Sequence, residues 1–419
     1  MERALLESVL RETGVAQKHG ETLFLCDPYW SASQGQAAAA IVATGRGRRP
    51  SRVAIADEGA GYLPGWLAIP TGGSSGGLKF ARHDERTLGA AVLGFCAHFD
   101  VERVNAVDCL PAWHVSGLMA RLRCAATGGV HLPWDWKRLE AGDFPNLPPS
   151  ACENGASSGL AGGWFLSLVP TQLQRLLKQG ERAHKWLRAF HAVFIGGGPL
   201  WPSLADEAAA SQLPIVLSYG MTETGAMVAA QRPGDFAAGD RSSGVPMPHA
   251  PVSINAEGLV CVRGDSVMRG YFGVEPCNGI FTTADLGRVD DAGRLHILGR
   301  RDEVAISGGE KVGLSEVDAA LRSAKNSAGD TVFKDVAVLA VPDAEWGEVL
   351  VACYLNADAA PLSDAVIAAA MRDLARHQRP KRWLAFSPEA WPRNAQGKLN
   401  RAALREAVTD LHSAWGGGQ

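Results

Sequence analysis

The sequence predicts an α/β protein: a large N-terminal domain of parallel-sheet α/β layers with a small barrel-like β piece, then a small α+β C-terminal domain. Three observations predict it. First, apolar strand-like runs recur at 164–169, 192–195 and 214–218. Each is followed by a turn and a helical pattern (170–177, 199–210 and 222 onward), and such alternation implies parallel pairing with crossover helices. Second, from about Val252 the texture changes to short alternating strands with Gly, Asp and Asn turns, at 259–263 and 295–298, which reads as antiparallel and barrel-like. Third, Gly299-Arg300-Arg301-Asp302-Glu303 is a charged break, and beyond it lies an α+β pattern of about 120 residues, a common domain size. The expected domains are therefore 1–298 and 299–419, with the boundary near 299–303.

Composition narrows the class. At 419 residues the chain exceeds one ordinary domain, and with 46% hydrophobic and 20% charged residues it can bury a large core. A net charge of −3 and a pI near 6.4 lack the basic excess of a nucleic-acid binder. No apolar run reaches the length of a membrane span. Met1-Glu2-Arg3-Ala4-Leu5-Leu6-Glu7 alternates charge with apolar residues as an amphipathic helix does, without a signal peptide's apolar core. The eight cysteines are scattered with no C-x-x-C pair, so buried reduced thiols are expected rather than a metal site or a disulfide framework. A soluble cytosolic protein is the expectation.

Taken in order, residues 1–65 alternate helical patterns with loops. Trp66-Leu67-Ala68-Ile69 reads as a short buried strand leading into Pro70-Thr71-Gly72-Gly73-Ser74-Ser75-Gly76-Gly77-Leu78-Lys79. Glycines let backbone N–H groups turn toward an anion, hydroxyls donate further hydrogen bonds, and a lysine adds a point charge, which is the chemistry of a phosphate cradle. The spacing matches neither G-x-x-x-x-G-K-[ST], since Phe80 follows Lys79, nor G-x-G-x-x-G, so a flexible surface loop stays open as a reading. Residues 84–99 read as a helix: Asp84 is an N-cap, and Leu88, Ala91, Val92, Phe95 and Phe99 recur at three- and four-residue spacing. A strand at 104–107 and the segment Leu110-Pro111-Ala112-Trp113-His114-Val115-Ser116-Gly117 precede a helix at 118–126 that carries Arg121 and Arg123 among apolar residues. The C-terminal pattern is helix 315–324, strands 335–341 and 349–355, helix 363–375 and strand 382–386.

Four constellations carry possible chemistry. Ser218-Tyr219-Gly220-Met221-Thr222-Glu223-Thr224 lies where an apolar strand ends, and strand carboxyl ends are where open α/β sheets bind ligands. A hydroxyl beside a carboxylate suits a phosphate oxygen and its magnesium ion, but Thr222 and Glu223 also read as an ordinary helix start. Phe281-Thr282-Thr283-Ala284-Asp285 ends in an acid able to accept from a ribose hydroxyl, although a plain strand-to-turn aspartate is the commoner case. Asn394-Ala395-Gln396-Gly397-Lys398 follows Pro392, and by itself such a lysine is a solvated one. His114 and Arg123 stand nine apart around an apolar segment; a buried unpaired guanidinium is very costly, so Arg123 needs a carboxylate from the protein or from a ligand.

In this order the stretches resemble the acyl-adenylate-forming superfamily of acyl-CoA synthetases, peptide-synthetase adenylation domains and luciferases. Thr71 to Lys79 is similar to its Thr-Ser-Gly-Thr-Thr-Gly-x-Pro-Lys loop, and Tyr219-Gly220-Met221-Thr222-Glu223 to its Tyr-Gly-x-Thr-Glu motif. Thr283-Ala284-Asp285 resembles the Thr-Gly-Asp ribose motif. Gly299-Arg300-Arg301-Asp302 with Ser307-Gly308-Gly309-Glu310-Lys311-Val312 is similar to the hinge and the loop after it, and Pro392 to Lys398 to the catalytic-lysine motif. Five ordered matches from 70 to 398 are far more specific than any one.

Within the superfamily the chain most resembles the 2-succinylbenzoate–CoA ligases of menaquinone and phylloquinone synthesis. The carriers are Leu110 to Leu118 with Arg123, Ser167-Leu168-Val169-Pro170-Thr171-Gln172-Leu173, Gly196-Gly197-Gly198-Pro199 and Ile306 to Glu310. Gly72 and Leu78 depart from the usual Ser and Pro, and the glycine-rich loop lies close to the N-terminus, so a shortened first subdomain is expected.

The resemblance implies two half-reactions: a carboxylate attacks the α-phosphate of ATP to give an acyl-adenylate, and coenzyme A then displaces AMP. It implies Thr71, Gly73, Ser74, Ser75, Gly76 and Lys79 at the phosphates, Thr222 at the α-phosphate, Glu223 at Mg2+, and Asp285 and Arg300 at the ribose. Gly196, Gly197, Gly198, Tyr219 and Gly220 would complete the nucleotide site, and Lys398 would serve adenylation only. His114, Ser116, Gly117 and Arg123 would line the acyl pocket, with Arg123 on the succinyl carboxylate. Gly308 and Gly309 would line the coenzyme A tunnel, and Asp302 would be the hinge of a mobile C-terminal domain. Another aryl- or fatty-acyl-CoA synthetase, a carrier-protein-loading adenylation domain and a non-catalytic adenylate-binding scaffold stay open, as does homodimer formation.

Overall fold

The computed structural model describes residues 1–30, 32–45, 65–72, 78–148, 163–274, 276–307, 310–326, 329–343, 346–356, 359–393 and 399–415. The chain divides into two compact units: unit 1 is 1–199, 208–283 and 288–296, and unit 2 is 200–207, 284–287 and 297–419.

Unit 1 opens with helix α1 (Arg3–Thr13), ended by Gly14 in the left-handed conformation that glycine adopts without penalty. A short hairpin follows, β1 (Ala16–His19) on β2 (Thr22–Leu25), and then helix α2 (Ala32–Gly45). This hairpin lies in the stretch expected to hold only helices and loops. Gln17, Lys18 and His19 give β1 no apolar alternation, so its pairing shows only in three dimensions. β2 pairs in parallel with β3 (Leu67–Gly72), which turns back antiparallel onto β4 (Leu78–His83). The glycine-rich stretch thus joins two paired strands, Thr71 opposite Lys79.

The second sheet holds β5 (Asn105–Asp108), β6 (His131–Pro133), β7 (Trp164–Leu168), β8 (Ala192–Ile195), β9 (Ile215–Met221), β10 (Ala226–Ala230) and β11 (Val245–Pro246). Its order is β11-β10-β9-β8-β7-β5-β6. β5 to β9 pair in parallel, as the strand–helix alternation predicts, and their carboxyl ends share one edge. Helix α3 (Glu85–Phe99) starts at Asp84, whose side chain accepts from the amides of Arg86 and Thr87, the expected N-cap. Helix α4 (Val115–Thr127) begins three residues before the expected 118, with His114 as its extended N-cap. Phe95 and Phe99 of α3 meet Phe165 and Phe194 of the sheet with ring centroids 5.1–6.0 Å apart, the aromatic heart of this core.

The helix expected from Thr222 is not formed. A single 3-10 turn, Thr222–Thr224, leads through Gly225 (φ +66°) into β10, antiparallel to β9. Thr224 Oγ1 bonds the carbonyls of Met221 and Ala226, and Val228, Ala229 and Ala230 are fully buried, so pairing outcompetes helix propensity here. The barrel-like piece is a four-stranded sheet in chain order: β12 (Val252–Ile254), β13 (Leu259–Arg263), β14 (Ile280–Val289) and β15 (Leu295–Arg300).

Unit 2 is built on β16 (Val304–Ser307), β17 (Glu310–Gly313), β18 (Val336–Asp343), β19 (Gly347–Leu355) and β20 (Arg382–Phe386), ordered β17-β16-β19-β18 with β20 parallel to β19. Along β18, Val336 and Val338 enter one core, with Leu314, Val317 and Leu321 of helix Leu314–Ser323. Ala337, Leu339 and Val341 enter another, with Leu404 and Val408 of helix Arg401–Trp415. Burial on both faces explains an unbroken apolar run instead of alternation. The expected helix 363–375 is shorter, Asp364–Ala370: beyond it the N–H groups of Arg372 and Leu374 bond the carbonyls of Ala369 and Met371, three residues back, as turns instead of continuing the helix.

Candidate active site

In unit 1, the strand edge and the glycine-rich hairpin converge on Glu223. This carboxylate is 8% exposed, and its Oε1 accepts from Thr71 Oγ1 at 3.3 Å and from the Tyr271 hydroxyl at 2.7 Å. The Glu223 carbonyl accepts from Met268 N–H at 2.8 Å. Thr71 and Glu223, 152 residues apart, are thereby side by side. Lys79 is exposed, with its ammonium 5.2 Å from the centre of the Tyr271 ring.

Thr222 is held from behind. Its carbonyl lies 2.7 Å from Nε2 of His83, a fully buried ring whose Nδ1 meets Thr87 Oγ1 at 3.0 Å. Burial pushes the His83 imidazole down to about 4, with the Thr222 hydrogen bond opposing, so near neutrality it is an uncharged donor to that carbonyl. Gly220 has a packing reason: a Cβ there would sit 2.0 Å from the Ala226 carbonyl oxygen across the hairpin. Tyr219 pairs with Ala229 in the same hairpin.

Gly196, Gly197 and Gly198 follow the carboxyl end of β8. Gly196 N–H donates to the Leu168 carbonyl at 3.2 Å, and Gly197 takes φ +75°. A Cβ at Gly196 would sit 3.2 Å from Ser218 Oγ of β9.

In unit 2, Asp285 lies within β14 rather than at a turn, and it is 8% exposed. Arg300 Nη1 donates to Asp285 Oδ1 at 3.0 Å, while Arg300 Nε and Nη2 hold both oxygens of Asp302 at 2.8 and 3.1 Å. The expected ribose pair and the expected hinge aspartate therefore share one guanidinium.

The acyl-side residues sit on α4 and its entry. His114 is the N-cap and half-buried, and Ser116 is half-buried in the first turn. Gly117 permits close packing, since a Cβ would lie 2.3 Å from the Pro111 carbonyl oxygen. Arg123 is 5% exposed, with its guanidinium carbon 4.2 Å from the Phe95 ring centre. Its Nε has no partner, and no carboxylate pairs with it among the described residues. Burial pushes its pKa down to about 10. Gly73, Ser74, Ser75, Gly76, Gly308, Gly309 and Lys398 lie outside the described residues.

Tyr271 and His83 were not legible in the sequence. Each acts through a partner 48 or 139 residues away, and neither stands in a motif of ligand-binding residue types. Tyr271 is placed by an isolated antiparallel bridge to Ala81 of β4, which no local pattern announces.

A sequence-family profile described as AMP-binding enzyme matches residues 67–272. Among curated proteins, the chain is similar to the 2-succinylbenzoate–CoA ligase of Bacillus licheniformis, 35% identical over 57% of this chain and 50% of that one. It is also similar to that of Listeria monocytogenes, 30% identical over 71% of this chain and 60% of that one. The chain thus spans about half to three-fifths of the length of these relatives. Among solved structures it resembles E. coli MenE with bound OSB-AMS, with a TM-score of 0.62, 27% identity, and coverage of 84% of this chain and 71% of that one. It shares the fold of Bacillus subtilis o-succinylbenzoate CoA synthetase in complex with OSB-AMP, with a TM-score of 0.65, 24% identity, and coverage of 81% and 69%. ATP-bound MatB from Rhodopseudomonas palustris shares it too, at a TM-score of 0.65, 24% identity, and coverage of 85% and 71%.

Proposed function

We propose that this protein is an ATP-dependent ligase that activates 2-succinylbenzoate as an acyl-adenylate and transfers it to coenzyme A, a reading supported by the AMP-binding enzyme profile that matches residues 67–272. The observation that carries the substrate class is Arg123: a buried guanidinium without a carboxylate partner among the described residues calls for an acidic ligand. A substrate with a second carboxylate, beyond the one being activated, supplies it. The curated ligases named for 2-succinylbenzoate support the specific acid.

In the first half-reaction a carboxylate oxygen attacks the α-phosphorus of ATP and pyrophosphate leaves. In the second, the thiolate of coenzyme A attacks the activated carbonyl and AMP leaves. Converting a carboxylate to a mixed anhydride supplies the leaving group it lacks. Fixed donors aimed at the developing phosphate charge carry the first step: Thr71, Thr222 and Lys79 in unit 1, with Gly73, Ser74, Ser75 and Gly76 of the connecting stretch. The residues present suit magnesium, a hard cation: Glu223 keeps Oε2 clear of partners among the described residues, beside the Thr71 hydroxyl. A magnesium ion held there would neutralise phosphate charge. Asp285 and Arg300 hold the ribose, the backbone of Gly196 to Gly198 and of Tyr219 and Gly220 faces the base, and Lys398 bridges the attacking carboxylate and the α-phosphate. His114, Ser116 and Gly117 line the acyl pocket. The second step uses the Gly308–Gly309 backbone for the pantetheine arm, with residues 299–419 reorienting at Asp302. The seven described cysteines are all free thiols, which suits a cytosolic enzyme. No helix among the described residues is long and apolar enough to cross a membrane.

The test is ATP- and coenzyme A-dependent thioester formation with 2-succinylbenzoate, benzoate and a medium-chain fatty acid, read as AMP release. Turnover confined to 2-succinylbenzoate is expected. Faster turnover of another acid discards the substrate and keeps the mechanism; ATP binding without AMP release from any acid discards both.

A further inference from the structure

The segment Met268 to Phe272 of unit 1 lies along β4, the last strand of its sheet. Arg269 N–H donates to the Arg82 carbonyl at 2.8 Å, Arg82 N–H to the Gly270 carbonyl at 3.0 Å, and Phe272 N–H to the Phe80 carbonyl at 2.8 Å. Tyr271 bridges to Ala81 between them. From this segment Met268 N–H holds the Glu223 carbonyl, and the Tyr271 hydroxyl reaches the Glu223 carboxylate at 2.7 Å. The Glu223 side chain is therefore only as well placed as residues 268–272.

Asp84 ties that segment to the start of α3, and its two oxygens divide the work. Oδ1 accepts from the amides of Arg86 and Thr87 at 3.1 and 3.0 Å, which caps the helix. Oδ2 accepts from Arg269 Nε at 2.8 Å and from the Gly65 amide at 3.2 Å, and Arg269 Nη2 stands 3.4 Å from Oδ1. Burial would raise the pKa of Asp84, yet the bonds from Arg269, Thr87 and Gly65 hold it below the ordinary value, so it is a carboxylate at neutral pH. The approach is close: a Cβ on Gly65 would sit 2.8 Å from Arg82 Cβ and 2.9 Å from Arg269 Cβ. A helix cap needs one oxygen, and the second is spent on a residue 185 positions away. Backbone bonds alone specify register weakly on an outer strand, whereas a forked guanidinium–carboxylate contact fixes it.

We propose that Asp84 and Arg269 are positioning residues that hold Tyr271 in register on β4 and, through its hydroxyl, set the Glu223 carboxylate for magnesium. This rests on the reading that Glu223 holds the magnesium ion of ATP. Asp84→Asn separates the two duties of the carboxylate. Asparagine caps a helix as well as aspartate does, but its amide puts a donor where Arg269 needs an acceptor. Arg269→Gln is the second variant should Asp84→Asn fail to fold.

In the full-length chain without ligands, amide hydrogen exchange of residues 268–272 should quicken at least about tenfold in each variant, while α3 exchanges as in the wild type. In calorimetric titrations, the Mg2+ concentration that half-saturates ATP binding should rise about 3- to 10-fold. In a Tyr271→Phe background the same substitutions should raise it by less than about 1.5-fold further, because the hydroxyl they position is gone. Unchanged exchange at 268–272, exchange quickened equally along α3, a fall in Tm with unchanged Mg2+ half-saturation, or a full further rise without the Tyr271 hydroxyl each overturns the proposal. Wild-type ATP binding that ignores Mg2+ instead overturns the reading of Glu223, and the exchange measurement still decides whether Asp84 and Arg269 hold Tyr271.

Discussion

Arg123 and Tyr271 show how a single side chain acquires meaning from its surroundings. An arginine on α4 is ordinary in composition, but at 5% exposure and stacked on Phe95 it is a cation awaiting an anion. Arg123→Ala is expected to raise KM for 2-succinylbenzoate at least about 30-fold, the ~2 kcal/mol of a charge-assisted hydrogen bond, and to alter KM for a monocarboxylic analogue little. Equal effects on both acids would return Arg123 to a packing role. Tyr271 binds Glu223 through its hydroxyl and lies under the Lys79 ammonium through its ring. Tyr271→Phe keeps the ring and deletes the hydroxyl, so Glu223 loses one of two donors. We expect Mg2+ half-saturation of ATP binding, followed by calorimetry, to rise several-fold with little change in Tm. Half-saturation equal to wild type would leave Tyr271 as packing alone.

At the scale of elements, the β9–β10 hairpin does what the sequence assigned to a helix. Thr222 and Glu223 present themselves because a 3-10 turn lifts them at the hairpin tip, and the tip closes because Gly220 brings backbone to backbone. Gly220→Ala would place a Cβ 2.0 Å from the Ala226 carbonyl oxygen, against backbone that cannot swing aside. The expected cost is about 1–3 kcal/mol in urea denaturation, with a larger loss of adenylation because Thr222 and Glu223 shift with the turn. Full activity at wild-type stability would mean that the hairpin relaxes without cost. The elements that were legible carry their burial in local sequence: α3 in its three- and four-residue spacing and Asp84 cap, the parallel strands and β18 in apolar runs. Those that were not, β1 and β10, are set by partners: polar β1 by β2, and β10 by β9 and a turn glycine.

At the scale of the whole molecule, two buried histidines of unit 1, His83 and His98, and the half-buried His249 are each pushed by desolvation down to about 4. In the unfolded chain each titrates near 6.5. Between these values the unfolded state binds more protons, so stability is complete above about pH 6.5 and drains away as pH falls toward 4. Each histidine contributes a slope of up to about 1.4 kcal/mol per pH unit. Urea denaturation at about pH 7 and pH 5 checks it: the midpoint should drop on acidification, and His83→Gln should reduce the drop. A midpoint that ignores pH across this window would mean the rings are hydrated and unshifted.

The order of motifs along the chain, and the chemistry each can do, are local properties of residue type and spacing, and the sequence by itself determined them. Glycines before Lys79, a hydroxyl beside Glu223, an acid at 285 and a guanidinium at 300 each declare a capacity without declaring a neighbour. Which capacities meet was decided by tertiary structure: Thr71 against Glu223, Tyr271 between Glu223 and Lys79, Arg300 shared by Asp285 and Asp302. The same holds for burial, since only packing makes Arg123 a costly charge and His83 a neutral donor. The physical reason is range. Propensity and periodicity act over a few residues, whereas a hydrogen bond between positions 152 residues apart forms only when the sheets between them have paired.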